Sequence, residues 1–514
     1  MDWRRIAGLS ILMFGLAGAA VAAERPALAD AAEQGNTALI RTLLDARADV
    51  NAAQVDGMTA LHWAVYRDEV ETAGLLVRSG ANVNAVNRYG VPPLSLACTN
   101  GSSALIILLL GAGADANASL PGGETVLMTA ARTGNLEGVG ALLAKGANPN
   151  ARERSEQTPL MWAAAEGHTA IVRALIASGA DIRATLTSGF TPLLFAVREG
   201  HIDVARALLK AGIDVNETMH GPEGPQREVN NASDKPVGKG TSPLLMAVQN
   251  GHYELAVALV EAGADPNDHR TGFTPLHTLT WVRKPDASDS GDPSPIGSGR
   301  LTSLQFVRAL VERGADVNAR LPKGAPRPPN TASRVGTGGA TPFLLAADRA
   351  DAALMRVLIE LGADPFLPNL DNTTPLMAAA GLGTTAPLEE AGTEPEALEA
   401  VRLLLDLRGG IDAMNNDGDT AMHGAAFGNF PTIVQVLADR GASADIWKRP
   451  DKQGRTPLFI AEGYRGGPLR PSRPTIDAIT RLMAAKGLSM DGPRPLGVVR
   501  DTYEKPAPVP PRKP

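Results

Sequence analysis

The sequence predicts an all-α fold built as a stack of short tandem copies, and three observations carry that expectation. Thr59, Pro92, Thr125, Thr158 and Thr191 stand 33 residues apart, each opening a Thr-Pro-Leu string or a close variant. A fixed period of this size marks one small unit copied and stacked. Within a period, two short apolar stripes at helical spacing are separated by glycine, the pattern of a helix pair. Apolar residues make up 44% of the 514 but aromatics only 4%, so alanine, leucine and glycine must form the core. A chain this long exceeds what one core supports and needs several domains or a repeat array.

The copy beginning at Thr158 shows why each part folds as it does. Thr158 is a good N-cap, and Pro159 suits the first helical turn, where its missing N–H costs nothing. Leu160, Ala163 and Ala164 fall on one helical face. Gly167 stops that helix. Ile171, Val172, Leu175 and Ile176 form the apolar stripe of a second helix. Gly179 ends it, and Ala180-Asp181 leads into an extended turn. Ordering 33 residues costs about 50 kcal/mol at about 1.5 kcal/mol each, which about 2,000 Å² of apolar burial at about 25 cal/mol/Å² offsets. One helix pair cannot bury that much, so flanking copies must supply the partner surfaces.

These strings resemble the ankyrin repeat, with its Thr-Pro-Leu-His, Gly-His and Gly-Ala-Asp-x-Asn motifs in order. Gly-His occurs at Gly167-His168, Gly200-His201 and Gly251-His252, and the hairpin string Gly-Ala-x-x-Asn recurs five times, from Gly80–Asn84 to Gly314–Asn318. Eleven anchors (the five above, then Ser242, Thr274, Thr341, Thr374, Thr420 and Thr456) and a leading partial copy from Leu28 give about 12 helix-pair repeats. The resemblance implies a solenoid with hairpin fingers over residues 24–487. It also implies that His62, His277 and His423, and His168, His201 and His252, are structural. Asp115, Asp265, Asp316 and Asp364 read as turn chemistry. Asn51, Asn84, Asn117, Asn150, Asn216, Asn267 and Asn318 are expected to close their own hairpins by bonding nearby backbone.

The pitch is broken by insertions near 217–240, 283–300, 321–340 and 382–397, which are polar or rich in Pro and Gly. Insertions of this length are either functional or disordered. The first and third should lengthen hairpin fingers, while the second and fourth fall between the helices of a pair. Ile476 to Leu488 reads as a closing helix. Residues 488–514 form a Pro-rich tail, expected to be extended and solvated, with a ligand for a proline-binding module as the alternative.

Residues 1–23 have the order of a secretory signal peptide: Arg4-Arg5, an uncharged run from Ile6, then Ala-Val-Ala with cleavage near Ala22 or Ala23. The expected location is periplasmic or secreted, with no stable membrane insertion after cleavage. The alternative is an uncleaved anchor, since 18 uncharged residues is the lower edge of a spanning helix. Cys98 is the only cysteine, so no internal disulfide forms, and its slot, shared with Ala131, Ala164 and Val197, marks it as a core residue.

The formal charge of −6 is small and its signs are interspersed, which argues against nucleic-acid binding. No zinc spacing, phosphate-binding loop or nucleophile elbow is present. No cofactor, metal or catalytic residue is expected, and His220 and His269 read as loop residues. The expected function is therefore non-enzymatic protein binding. By the resemblance, the partner should meet the finger tips and the exposed ends of the first helices. Those positions carry Tyr66, Arg67, Arg88, Tyr89, Arg132, Phe190, Arg198, Glu199, Arg270 and Phe273, types that supply interface hot spots. Trp63 and Trp162 are read as packing between helices. The alternatives are an enzyme or enzyme accessory built on the insertions near His220, His269 and 283–300, and a secreted effector.

Overall fold

The computed structural model describes residues 27–219, 240–286, 293–329, 331–385, 387, 390–464 and 471–489. The expected leader 1–23, His220, most of the 217–240 insertion and nearly all of the tail lie outside them. Among the described residues are 25 helices, which fall in chain order into 12 pairs and one short extra helix, Ala444–Trp447. No described segment is an extended strand, and a single β-bridge pairs Ser119 with Thr125. The helices divide between two compact units, Met1–Ala163 with Ala177–Ala180, and Ala164–Ile176 with Asp181–Pro514.

The first helix of each pair starts as the sequence dictates. Thr59, Thr125, Thr191, Ser242, Thr274, Thr341, Thr374 and Thr456 each accept a bond from the N–H three residues on. Removing such a cap typically costs about 1 kcal/mol. After most first helices the chain needs a left-handed residue. Glycine supplies it at Gly200 (φ 80°), while Asp68 (φ 59°), Ala350 (φ 52°) and Asn429 (φ 59°) hold the corresponding slot elsewhere. Alanine there carries a steric penalty that its neighbours must hold in place.

Side chains that reach from one copy to the next link the copies. Asn84 Nδ2 donates to the Gly113 carbonyl at 3.0 Å, and its Oδ1 accepts from the Asp115 N–H at 2.8 Å. Asn51 and Asn117 repeat this pair of bonds in the first unit, and Asn216, Asn267 and Asn318 repeat it in the second. Asn150 makes the same bond to the Gly179 carbonyl at 2.9 Å. The asparagines are therefore inter-copy rungs, which corrects the expectation of local turn closure. The local turn bond belongs to the residue two positions earlier: Asp115 Oδ1 accepts from Asn117 N–H at 2.9 Å, as expected of turn chemistry. Fingers also meet tip to tip, Arg88 N–H donating to the Asp56 carbonyl at 2.8 Å and Arg154 N–H to the Gly122 carbonyl at 3.0 Å.

The described parts of the insertions fold against one another in the second unit. Asp286 and Arg349 are buried and paired at 3.1 Å. Asp286 also accepts from the Ala332 N–H at 2.8 Å and the Ala391 N–H at 3.3 Å, so one carboxylate holds three inserted segments. Thr385 Oγ1 donates to the Ala332 carbonyl at 3.1 Å, and Arg334 N–H to the Gly383 carbonyl at 2.9 Å. Phe273, Trp281, Leu321, Val335 and Leu345 form an apolar cluster beneath them. Next to this hub, burial pushes Asp348 up to about 7, against the pull of Arg349 and a 2.9 Å bond from Ser333 Oγ. The 217–240 insertion closes at its base, where Gly240 N–H donates to the Met219 carbonyl at 3.0 Å. The helix of residues 394–406 begins inside the range 382–397, and the closing helix is Arg473–Ala485.

The rung position in the Thr158 copy holds Arg183, 29 residues before Gly212, the same separation as Asn84 to Gly113. Arg183→Asn is expected to add the missing rung and raise unfolding stability by about 1 kcal/mol, read from the denaturant midpoint. An unchanged or lower midpoint contradicts the inter-copy role.

Candidate functional site

The ten residues singled out for partner contact separate sharply in the structure. In the first unit, Tyr66 at the end of helix Ala60–Tyr66 is 55% exposed and Tyr89 at a finger tip is 68% exposed. Arg67 and Arg88 are also exposed. Arg67 is fixed by a 2.8 Å ion pair to Glu69 and a bond to the Glu33 carbonyl. Arg132 is half-buried, 5.7 Å above the Trp162 ring and ion-paired with Glu124 at 3.6 Å.

In the second unit two expectations fail. Phe190 and Phe273 are buried. Phe190 packs against Phe195 with ring centres 5.2 Å apart, and Phe273 meets Trp281 edge-on at 4.8 Å. Each ring lies just before the cap of a first helix and turns inward, so neither offers a surface to a partner. Arg198 and Glu199 are exposed but paired with each other at 2.7 Å, with Arg198 lying over both Phe190 and Phe195. Arg270 chelates Asp268 through Nε at 2.8 Å and Nη2 at 3.0 Å, and donates to the Asn216 carbonyl. Burial pushes the Asp268 carboxyl up, but the Arg270 and Ser242 bonds outweigh it and hold it below its ordinary value. Arg270 therefore ties one finger to the next.

Two surface residues escaped the sequence reading. Val55 is 96% and Val86 58% exposed, both on first-unit fingers. Val55 stands 33 residues before Arg88, so the finger-tip slot that singled out Arg88 could have found it. Trp63 is half-buried; its Nε1–H donates to Gln54 Oε1 at 2.7 Å, and its ring meets Tyr66 edge-on at 5.8 Å.

The histidines act as structural staples where their bonds are described. His62 Nε2 lies 3.1 Å from the Val91 carbonyl and its Nδ1 2.8 Å from Thr59 Oγ1. His277 repeats this with the Ala340 carbonyl and Thr274. Burial lowers His62, and it lowers His277 and His423 to about 4. His201 and His252 reach back to the carbonyls of Ala165 and Arg198, both at 2.9 Å. His269 is exposed in a loop, and no group of three metal-ligating side chains occurs among the described residues. Cys98 is fully buried, and burial pushes its thiol up to about 12, which leaves no thiolate to react.

One pair has the outline of a nucleophile and base: Ser298 Oγ lies 2.9 Å from His252 Nδ1. Its bonding assigns a different role. The Ser298 backbone N–H donates to the same Nδ1 at 2.9 Å, and the hydroxyl donates to the Gly200 carbonyl at 3.1 Å. The ring lone pair is already engaged, so this pair holds a loop in place.

Comparisons with known proteins agree with this architecture. The family described as "Ankyrin repeats (3 copies)" matches residues 12–87, 28–120, 70–153, 127–219 and 388–466, and "Ankyrin repeat" matches 239–270. Ankyrin repeat domain-containing protein 63 of Homo sapiens is 34% identical over 257 residues, covering 47% of this chain and 56% of that protein. Ankyrin repeat and KH domain-containing protein CBG24701 of Caenorhabditis briggsae is 30% identical over 224 residues, 40% of this chain and 7% of that protein. The chain thus spans only part of the length of either relative. The crystal structure of the human ASB11 ankyrin repeat domain is 27% identical, with a TM-score of 0.39, covering 47% of this chain and all of that one. With the family matches spanning more than half of its length, the chain belongs to the ankyrin repeat family.

Proposed function

We propose that this protein is a non-enzymatic scaffold that engages a protein partner through the exposed fingers and helix ends of its first unit. Ankyrin repeats generally mediate protein–protein interaction, and the members of this family typically lack enzymatic activity. The observation that carries the reading is the exposure of Tyr66 and Tyr89 beside Arg67 and Arg88, with Val55 and Val86 adding apolar surface. Large aromatics left in water near arginine are the side chains from which interface hot spots are built. The candidate surface is therefore smaller than the sequence suggested, since Phe190 and Phe273 are buried.

The reading extends to export, which rests on the uncharged run and Ala-Val-Ala of residues 6–23 alone. A role outside the cell as an effector is a separate reading, because the leader does not distinguish the periplasm from full secretion. N-terminal sequencing of the protein from its native cell is expected to begin at Ala23 or Glu24. A chain that retains residues 1–22 in the cytoplasm contradicts export.

The partner retained by the wild-type chain can be identified by mass spectrometry and its affinity then measured directly. Tyr66→Ala combined with Tyr89→Ala is expected to weaken that affinity about tenfold or more, while the circular dichroism melt stays unchanged because both rings are exposed. Undiminished affinity would place the binding surface elsewhere.

A further inference from the structure

The second helices of three consecutive first-unit copies are Val70–Arg78, Ser103–Gly111 and Leu136–Ala144. They pack side by side, the middle one against both others. Each is nine residues long, so Gly74, Ile107 and Gly140 are their central residues. That slot recurs with the 33-residue period and reads Arg41, Gly74, Ile107, Gly140, Arg173 and Arg206 along the chain. Arginine holds it on either side of the trio. In the second unit it serves ion pairs, Arg308 with Glu360, and Arg356 with Glu399 at 2.6 Å. The three neighbouring first-unit helices carry no charge there.

What meets water in its place is apolar. On the middle helix Leu105, Ile106, Leu109 and Leu110 are buried, which leaves Ala104, Ile107, Leu108 and Gly111 on the outer side. Ile107 is 44% exposed there. On the third helix Leu136 is 46% exposed, and a Cβ added at Gly140 would meet nothing within 4 Å. The middle helix has no charged residue at any position. A helix that is apolar all round belongs between two covering layers, and the described chain covers it on one side.

We propose that this face is where two copies of the chain associate, each of the three helices lying antiparallel on its counterpart in the second copy about a two-fold axis that runs across their centres.

The charges around the face select a second copy as its occupant. Glu71 and Glu137 stand at the N-terminal ends of the two flanking helices, Arg78 and Lys145 at their C-terminal ends, and all four are exposed. Antiparallel stacking sets Glu71 opposite the second copy's Arg78, and Glu137 opposite the second copy's Lys145. The other two-fold arrangement, with its axis along the middle helix, is parallel and sets Glu71 against the second copy's Glu137. Opposite charges in register favour the first and like charges oppose the second. Ile107 then meets its counterpart on the axis, and the glycines on either side add no side chain to hold the backbones apart. Three helices of this length, about 10 Å apart, outline about 400 Å² per copy, or about 800 Å² for the pair, the size of a weak and reversible interface. The face is made of second helices, whereas Tyr66 and Tyr89 lie on a first helix and a finger, so it is distinct from the surface proposed for the partner.

Sedimentation equilibrium on the full chain between about 10 and about 500 µM tests this, with a monomer–dimer equilibrium of Kd about 100 µM expected for so small an area. Ile107→Arg restores the arginine of the neighbouring copies at an exposed position. It is expected to raise the Kd about tenfold or more and to leave the circular dichroism melt unchanged. Glu137→Lys and Lys145→Glu should each raise the Kd about threefold, since each sets like charges face to face. The two together should bring it back, because the exchanged charges again oppose each other. This exchange carries the test if Ile107→Arg fails to fold. A monomer at every concentration, a dimer that folded Ile107→Arg leaves unchanged, or an exchange that does not restore association overturns the proposal. So does a chain that stays monomeric but binds phosphatidylcholine vesicles and loses that binding in Ile107→Arg, which would make the face a lipid contact.

Discussion

The bond on which this architecture most depends is the one an asparagine side chain makes to the backbone of the following copy. Each rung satisfies two polar groups that a hairpin cannot satisfy alone: the carbonyl of the glycine ending the next second helix, and the N–H two residues later. Asn84 does this to Gly113 and Asp115, and Asn267 to Gly314 and Asp316. Unsatisfied groups at a helix end would otherwise need water or a cap. Since donor and acceptor lie in different copies, the bond fixes the spacing between copies as well as the shape of one hairpin. Apolar burial drives stacking but is non-directional; the rungs give it a register.

Where rungs are missing, other devices stand in. The positions after Asn318 that would carry them hold Phe366 and Met414, both 46% exposed. In the same stretch the buried Asp286–Arg349 pair collects the inserted segments, and further on Asp451 and Arg455 pair at 2.6 Å with Arg455 over Phe427. A buried ion pair adds little net stability against an apolar replacement, but breaking one half of it is costly. These pairs therefore define how irregular segments sit more than how stable they are. The loop that Ser298 fastens to His252 and the Gly200 carbonyl belongs with them.

How much was legible in the sequence follows from the range of each signal. Period and helix polarity are local, so the helix pairs, the threonine caps and the left-handed glycines could be read directly. Asp115 was read correctly because its turn bond spans two residues. Asn117 was misread because its bond spans 29, and composition in the hairpin looks the same for either partner. For Phe190 and Phe273 the sequence marks only a finger or helix-end slot of the repeat. Their burial comes from contact with Phe195 and Trp281, and the period does not specify which ring a residue meets. The hub was illegible for a related reason: Asp286, Ala332 and Ala391 sit in segments with no period, and only the folded chain brings them together.

Hydrogen exchange on Asn84→Ala tests the inter-copy register most directly. If the rung ties two copies, the Asp115 amide and the end of the helix of residues 103–111 lose protection together with the hairpin of residues 79–84. Loss confined to residues 79–84, with the Asp115 amide unchanged, would make the asparagine a local turn residue and contradict the role assigned to it.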